Sequence, residues 1–190
     1  MNQLSDEELI ARCASGDRRG MDVLVSRYHG KLLEFAQRHL GNPDASADVA
    51  QTTLVKVFQS AAGFRGTSSF RTWLYTIALN MIRDDFRRRK CRGESLLSEI
   101  DDGNDDPPEY MTTEDSTENI ALKKIESVAI WRAVDGLPEK RRSAVILKFR
   151  MGLTYDEIAS VMGVPDGTVK SWVHYALKKL RKSLEREDSL

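Results

Sequence analysis

Gly163-Val164-Pro165, a break between two segments of helical period, limits what this chain can fold into more than any other stretch. Ahead of it, Tyr155 to Met162 carries Ile158, Val161 and Met162 at the spacing of a short amphipathic helix, with Thr154 placed as an N-cap three residues before Glu157. Glycine accepts the left-handed backbone in which helices end, and proline cannot continue one, so a second helix is predicted from about Asp166. On that helix Val169, Val173, Ala176, Leu177 and Leu180 form one stripe, while Lys170, Ser171, His174, Tyr175 and Lys178 face the other way. Such a pair suits a recognition helix laid in a major groove. An ordinary helical hairpin with a solvated face satisfies the same periodicity, so the rest of the chain has to decide.

Its 190 residues suffice for one large or two small domains, and a 41% hydrophobic content can build real cores. Formal charge sums to zero, yet no Lys or Arg lies between Arg92 and Lys123, and Glu94 to Glu118 holds ten carboxylates, which leaves the remainder with a surplus of +10. Basic domains joined by an acidic strap point to a nucleic-acid partner. Cys13 and Cys91 are far apart and show no metal-ligand spacing with His29, His39 or His174, so reduced thiols are expected, with no metal and no cofactor. No stretch approaches the ~20 apolar residues of a membrane span and no apolar run follows Met1, so a soluble cytoplasmic protein without membrane insertion is expected. An enzyme is a poor candidate, and no residue is nominated as catalytic. There is no Gly-rich phosphate loop, no metal-spaced cluster and no nucleophile with a nearby base.

From the N-terminus, Ser5 and Glu8 form a capping box that opens a helix, interrupted at Gly16 or Gly20. A second helix runs from about Met21 to Leu40 on Leu24, Tyr28, Leu32, Phe35 and Leu40, and Gly41-Asn42-Pro43 ends it. A third starts at Asp44 with Val49, Thr53, Val57, Phe58 and Ala61 toward the core, which places Asp48, Gln51, Thr52 and Val55 on a more exposed face. Gly63 to Ser69 reads as a loop. A fourth helix, capped by Ser68 or Ser69, carries Phe70, Leu74 and Ile77 on its buried stripe and reaches Arg87-Arg88-Arg89-Lys90. Four cations in a row exceed what offsetting the macrodipole requires. Phe64, Phe70, Trp73 and Tyr75 add stacking capacity of the kind used on single-stranded nucleic acid, although most of these rings belong to the core. Helical pattern returns at Ile120, turns at Leu137 to Lys140 and continues over Arg141 to Arg150. The expected fold class is all-α: two small helical domains, residues 1–92 and 120–190, joined by a flexible acidic linker over 93–119. The second is built of about four helices around Trp131, Val134, Leu137, Val145, Ile146 and Phe149.

In this order, DEELIARCASGD, DASADVAQTTLVKVF, FRGTSSFRTWLYTIALNMIRDDFRRR and LPEKRRSAVILKFRMGLTYDEIASVMGVPDGTVKSW resemble the extracytoplasmic-function (ECF, group IV) sigma factors of bacterial RNA polymerase over nearly the whole chain. The resemblance implies sigma region 2 in the first domain, binding core polymerase and recognising and melting the −10 element, and sigma region 4 in the second, reading the −35 element. It assigns Phe64, Ile77 and Asn80 to a pocket for a base flipped from the stack, beside Gly66 to Ser69, with Arg83, Arg87 and Arg88 as further −10 contacts. Lys148, Lys170 and Ser171 match −35 contacts and are joined by His174, Tyr175 and Lys178 on the outward face. The implied partners are promoter DNA and core RNA polymerase, through its β′ coiled coil and its β subunit, with the linker in the channel that later holds RNA.

The chain departs from the family pattern twice. Trp172, Tyr175 and Leu177 stand where arginines are usual after GTVKS, with Tyr175 nearest the outer face. On the polymerase-binding helix the expected contacts are Asp48, Gln51 and Thr52, but of Ala47, Asp48 and Thr52, where the family tends to place carboxylates, only Asp48 is acidic. A face that pairs with arginines has lost two charges, and unmodified protein is expected to bind polymerase weakly. A threonine phosphate would restore about −1.5 to −2 of charge. Thr52 is preferred, one turn after Asp48 on the same face; Thr53, aligned with Val49 and Val57, is the reserve. That expectation brings in a Ser/Thr protein kinase, and the competing one an anti-sigma factor with no switch at Thr52. A stand-alone helix-turn-helix transcriptional regulator would explain the basic surplus but not FRGTSSFRTWLY.

Overall fold

The computed structural model describes residues 4–93 and 128–187, which fall into two compact all-helical units. All of the expected linker except Gly93, and the helical pattern from Ile120 to Ser127, lie outside the described residues.

The first unit begins with α1 (Asp6–Ala14), opened by the predicted capping box: Ser5 Oγ accepts from the Glu8 N–H at 3.2 Å and the Glu8 carboxylate accepts from the Ser5 N–H at 2.8 Å. Gly16, at φ 95°, carries the turn into α2 (Arg19–Leu40). Gly20 interrupts nothing. It lies inside α2, where a Cβ would stand 2.6 Å from the Leu9 carbonyl oxygen and 3.1 Å from Cys13 Sγ, so glycine serves the close approach of α1 and α2. Asn42 caps α3 (Pro43–Gln59), its Oδ1 accepting from the Ala45 N–H at 3.0 Å. The helix starts one residue earlier than expected because proline suits its first position. A 3-10 turn over Ala61–Gly63 leads to the loop before α4 (Phe70–Cys91), capped by Ser69.

Leu9, Ile10, Leu24, Leu32, Phe35, Phe70, Leu74, Tyr75 and Ile82 fill the core of this unit. Carboxylates on α1 fix its position: Asp6 accepts from Arg27 at 2.6 Å and from the Tyr28 hydroxyl, and Glu7 accepts from the Phe70 N–H at 2.9 Å, closing part of the N-terminus of α4. Burial, and then the bond to Asp6, hold the Tyr28 hydroxyl above its ordinary range. Two expected core residues are displaced. Phe58 follows Val57 by one residue, about 100° of helix rotation, and is 38% exposed. Ile77 is half-buried because Leu74 and Ala78 hold the stripe.

The second unit is built on α5 (Val128–Asp135), α6 (Glu139–Val145), α8 (Asp166–Glu187) and the start of α7 (Tyr155–Met162). Pro138 lets α6 begin at Glu139 rather than Arg141. Its end widens into a π-helical turn over Ile146–Arg150, which rotates Phe149 to a half-buried position, whereas Trp131, Val134, Leu137, Val145 and Ile146 are buried as expected. Arg142 is 5% exposed and its Nη1 donates to the Asp135 carbonyl at 3.1 Å, a partner for the open end of α5. Burial lowers its pKa, opposed by Glu139 and Asp135. Thr154 and Glu157 form the predicted capping box of α7, and Gly163, at φ 70°, ends it.

Candidate polymerase and nucleic-acid interfaces

Helix α3 sorts its residues by phase. Asp48, Gln51, Thr52 and Val55 are exposed on one side, with Val55 46% exposed, and Phe58 continues this face. Thr53 points the other way: it is 0% exposed and its Oγ1 donates to the Val49 carbonyl at 2.7 Å. Of the two threonines only Thr52 is therefore accessible to a modifying enzyme.

At the C-terminal end of α3 a groove of about 360 Å³ runs against α4, lined by Lys56, Gln59, Ser60, Ile77, Asn80 and Met81. It brings together Ile77 and Asn80, as expected, but Phe64 is not among its lining residues. Phe64 is half-buried in an aromatic cluster, 5.2 Å from the Trp73 ring centroid and 6.3 Å from that of Phe70. Lys56, Gln59, Ser60 and Met81 were not expected there; Lys56, Gln59 and Ser60 follow an i, i+3, i+4 spacing at the end of α3, and Met81 lies one turn beyond Ile77 on α4. The far end of α4 is basic and only partly compensated: Arg87 pairs with Asp84 at 3.1 Å, and Asp85 takes Arg88 at 3.5 Å and Arg89 at 2.6 Å. Arg83 is half-buried one turn earlier.

In the second unit the stripe Val169, Val173, Ala176, Leu177 and Leu180 is buried, and so is Trp172. Lys170, His174, Tyr175 and Lys178 are exposed, and Ser171 is half-buried. Lys170 Nζ donates to Asp166 Oδ2 at 2.8 Å, which raises the lysine pKa and, with the Gly167 N–H on Oδ1, lowers that of Asp166. Lys148, on the π turn, sets its Nζ 4.2 Å from the centroid of the Tyr155 ring. Tyr175 is 50% exposed and the Arg141 guanidinium lies 4.1 Å from its ring centroid.

Among the described residues no group of three or more His, Cys, Asp or Glu is placed to hold a metal ion, and no helix is long and apolar enough to cross a membrane. Comparison with known proteins places these elements in a family. Sigma-70 region 2 matches residues 24–92, and Sigma-70, region 4 matches residues 127–180. The chain is 32% identical to the ECF RNA polymerase sigma-E factor of Haemophilus influenzae, over 96% of this chain and 97% of that one. Among solved structures it resembles CnrH in complex with the cytosolic domain of CnrY, at TM-score 0.66 and 26% identity, covering 95% of this chain and 97% of that one. It also shares the fold of the sigma factor RpoE from Bartonella quintana, solved with the anti-sigma factor NepR, at TM-score 0.63 and 23% identity over 85% of this chain and 94% of the other. Matched in both regions and across almost its whole length, the chain belongs to the extracytoplasmic-function sigma factors of bacterial RNA polymerase.

Proposed function

We propose that residues 1–92 bind core RNA polymerase through the exposed face of α3 and engage the −10 element through the groove between α3 and α4. Residues 120–190 read the −35 element with α8, and 93–119 form the acidic connector. As a sigma factor the protein directs promoter-specific initiation by RNA polymerase and is no enzyme. Its groove has the chemistry a flipped base needs, with Asn80 and Gln59 for base edges, Ile77 and Met81 for the ring and Lys56 for phosphate. Next to it, Arg83, Arg87 and Arg88 keep positive charge along a melted strand, and Phe64 supplies an aromatic edge. Lys148, Lys170, Ser171, His174, Tyr175 and Lys178 contact the −35 duplex.

Polymerase binding, on this reading, is raised by a phosphate on Thr52 delivered by a Ser/Thr protein kinase. The observation that carries it is the sorting of α3: Asp48, Gln51 and Thr52 share an exposed face and only Asp48 of the three is acidic, while Thr53 is sealed in the core. A phosphate there adds three strong acceptors toward arginines on the β′ coiled coil. The second reading is an anti-sigma polypeptide, favoured by the complex of the Bartonella RpoE with the anti-sigma factor NepR.

The test is the affinity for core polymerase of unmodified protein, Thr52→Glu and kinase-treated protein, at one fixed salt concentration because exposed pairs are screened. Weak binding by the unmodified chain, restored by phosphate on Thr52, is expected; glutamate restores less because it carries less charge. Tight binding by the unmodified chain would remove the switch and leave the anti-sigma reading. If no form binds, the assignment of α3 as the polymerase face fails.

A further inference from the structure

We propose that Arg141 and Tyr175 form a phosphate clamp on promoter DNA, in which the Tyr175 ring holds the Arg141 guanidinium beside α8 with its N–H donors bound to one backbone phosphate. This rests on the reading of the second unit as a −35 reader. Three observations carry it.

Tyr175 is the one large apolar side chain of α8 that is exposed among the described residues, at 50%, and it lies on the face that also presents Lys170, His174 and Lys178. An aromatic ring in that position normally covers core or meets a partner. Here it meets a cation: the guanidinium carbon of Arg141 stands 4.1 Å from the ring centroid, close enough for the ring face to attract the charge. A guanidinium held by the face of a ring makes no hydrogen bond to it, so its N–H donors stay available for bidentate bonds to phosphate oxygens.

The charge of Arg141 is also unspent. Among the described residues no carboxylate pairs with it, whereas Lys170 is bound to Asp166 at 2.8 Å and Arg142, next in sequence, is buried against the end of α5. Its place in the fold selects phosphate over base. Arg141 stands on α6, which precedes the helix-turn-helix pair and packs beside α8, and side chains from outside the recognition helix position the protein on phosphates while the recognition helix enters the groove.

Polymerase holoenzyme assembled from the full chain first selects duplexes from a pool randomised across the −35 region. Binding to those duplexes is then followed across a series of salt concentrations. Arg141→Gln is expected to weaken binding roughly tenfold, equally on every selected duplex. It also flattens the dependence of log K on log salt by about 0.9, the value of one phosphate. Tyr175→Leu weakens binding in the same direction, Tyr175→Phe restores most of what leucine loses, and adding Tyr175→Leu to Arg141→Gln costs clearly less than it does in the native chain. Melting curves check that each variant is folded; should Arg141→Gln fail there, Arg141→Lys, which keeps the charge and loses the planar fork, is read instead and loses affinity with the slope kept. If Arg141→Gln changes neither affinity nor slope while Lys170→Ala weakens binding, the clamp is wrong and the −35 reading stands. If Arg141→Gln keeps the slope but relaxes the preference for one base, the residue reads a base and the phosphate assignment is overturned. If the native holoenzyme enriches no −35 sequence, the DNA reading of the second unit falls and the clamp with it.

Discussion

Thr52 and Thr53 are neighbours in the chain and opposites in environment, and substitution separates them. Glutamate at Thr53 would place a charge where the native side chain is 0% exposed and bonded to its own helix, so Thr53→Glu should cost about 3–5 kcal/mol and shift the urea midpoint accordingly. Thr52→Glu, on the open face, should stay within about 0.5 kcal/mol of the native chain. This contrast was legible from helical phase alone, since Thr53 repeats with Val49 and Val57. Gly20 was not. Its neighbours in sequence suggest a break, but its function is set by Leu9 and Cys13 on another helix, 2.6 and 3.1 Å from where a Cβ would stand. Gly20→Ala should therefore destabilise the first unit by about 1–3 kcal/mol, read as a lower urea midpoint, although alanine is the better helix former.

At the level of elements, the caps were readable and the packing distortions were not. Ser5 with Glu8 and Thr154 with Glu157 are local patterns, and both form the reciprocal bonds expected of them. Thr154→Ala should cost about 1 kcal/mol in chemical denaturation of the second unit. For Glu8 the pH dependence follows from its bonds to Ser5, backbone first and side chain second, which hold its carboxyl below the ordinary 4.5. A depressed folded-state value means that the stabilisation is present above 4.5 and is lost as pH falls through the lower folded value. Native protein should melt above Glu8→Gln at neutral pH, and the gap should close only at acidities below that ordinary value. The π turn over Ile146–Arg150 has no such local signature, which is why Phe149 was expected in the core. An extra residue in one turn is fixed by what the helix packs against.

For the whole molecule, the first prediction is separability. Fragments 1–92 and 120–190 should each give helical circular dichroism and a cooperative melt, because each unit has its own buried core. A fragment that stays unfolded would show that its core needs the other unit. The uneven charge makes a second prediction: at matched ionic strength, neutralising the carboxylates between Glu94 and Glu118 should increase binding of the free protein to non-specific duplex DNA, because the remaining surplus of +10 is no longer offset.

The sequence by itself determined the helices, most of their caps, the buried stripe of α8 and the family, because each depends on residues close together in the chain or on long specific motifs. Only the tertiary structure decided which residues share a groove and which charges remain available. Ile77 and Asn80 on α4 meet Lys56, Gln59 and Ser60 across a helix boundary, while Phe64 turns to Trp73. Arg87 and Arg88 are engaged by Asp84 and Asp85, and the Arg141 guanidinium lies over a ring 34 residues away in the chain. Periodicity reports the direction a side chain takes from its own helix; what it meets there is a property of the neighbouring helix.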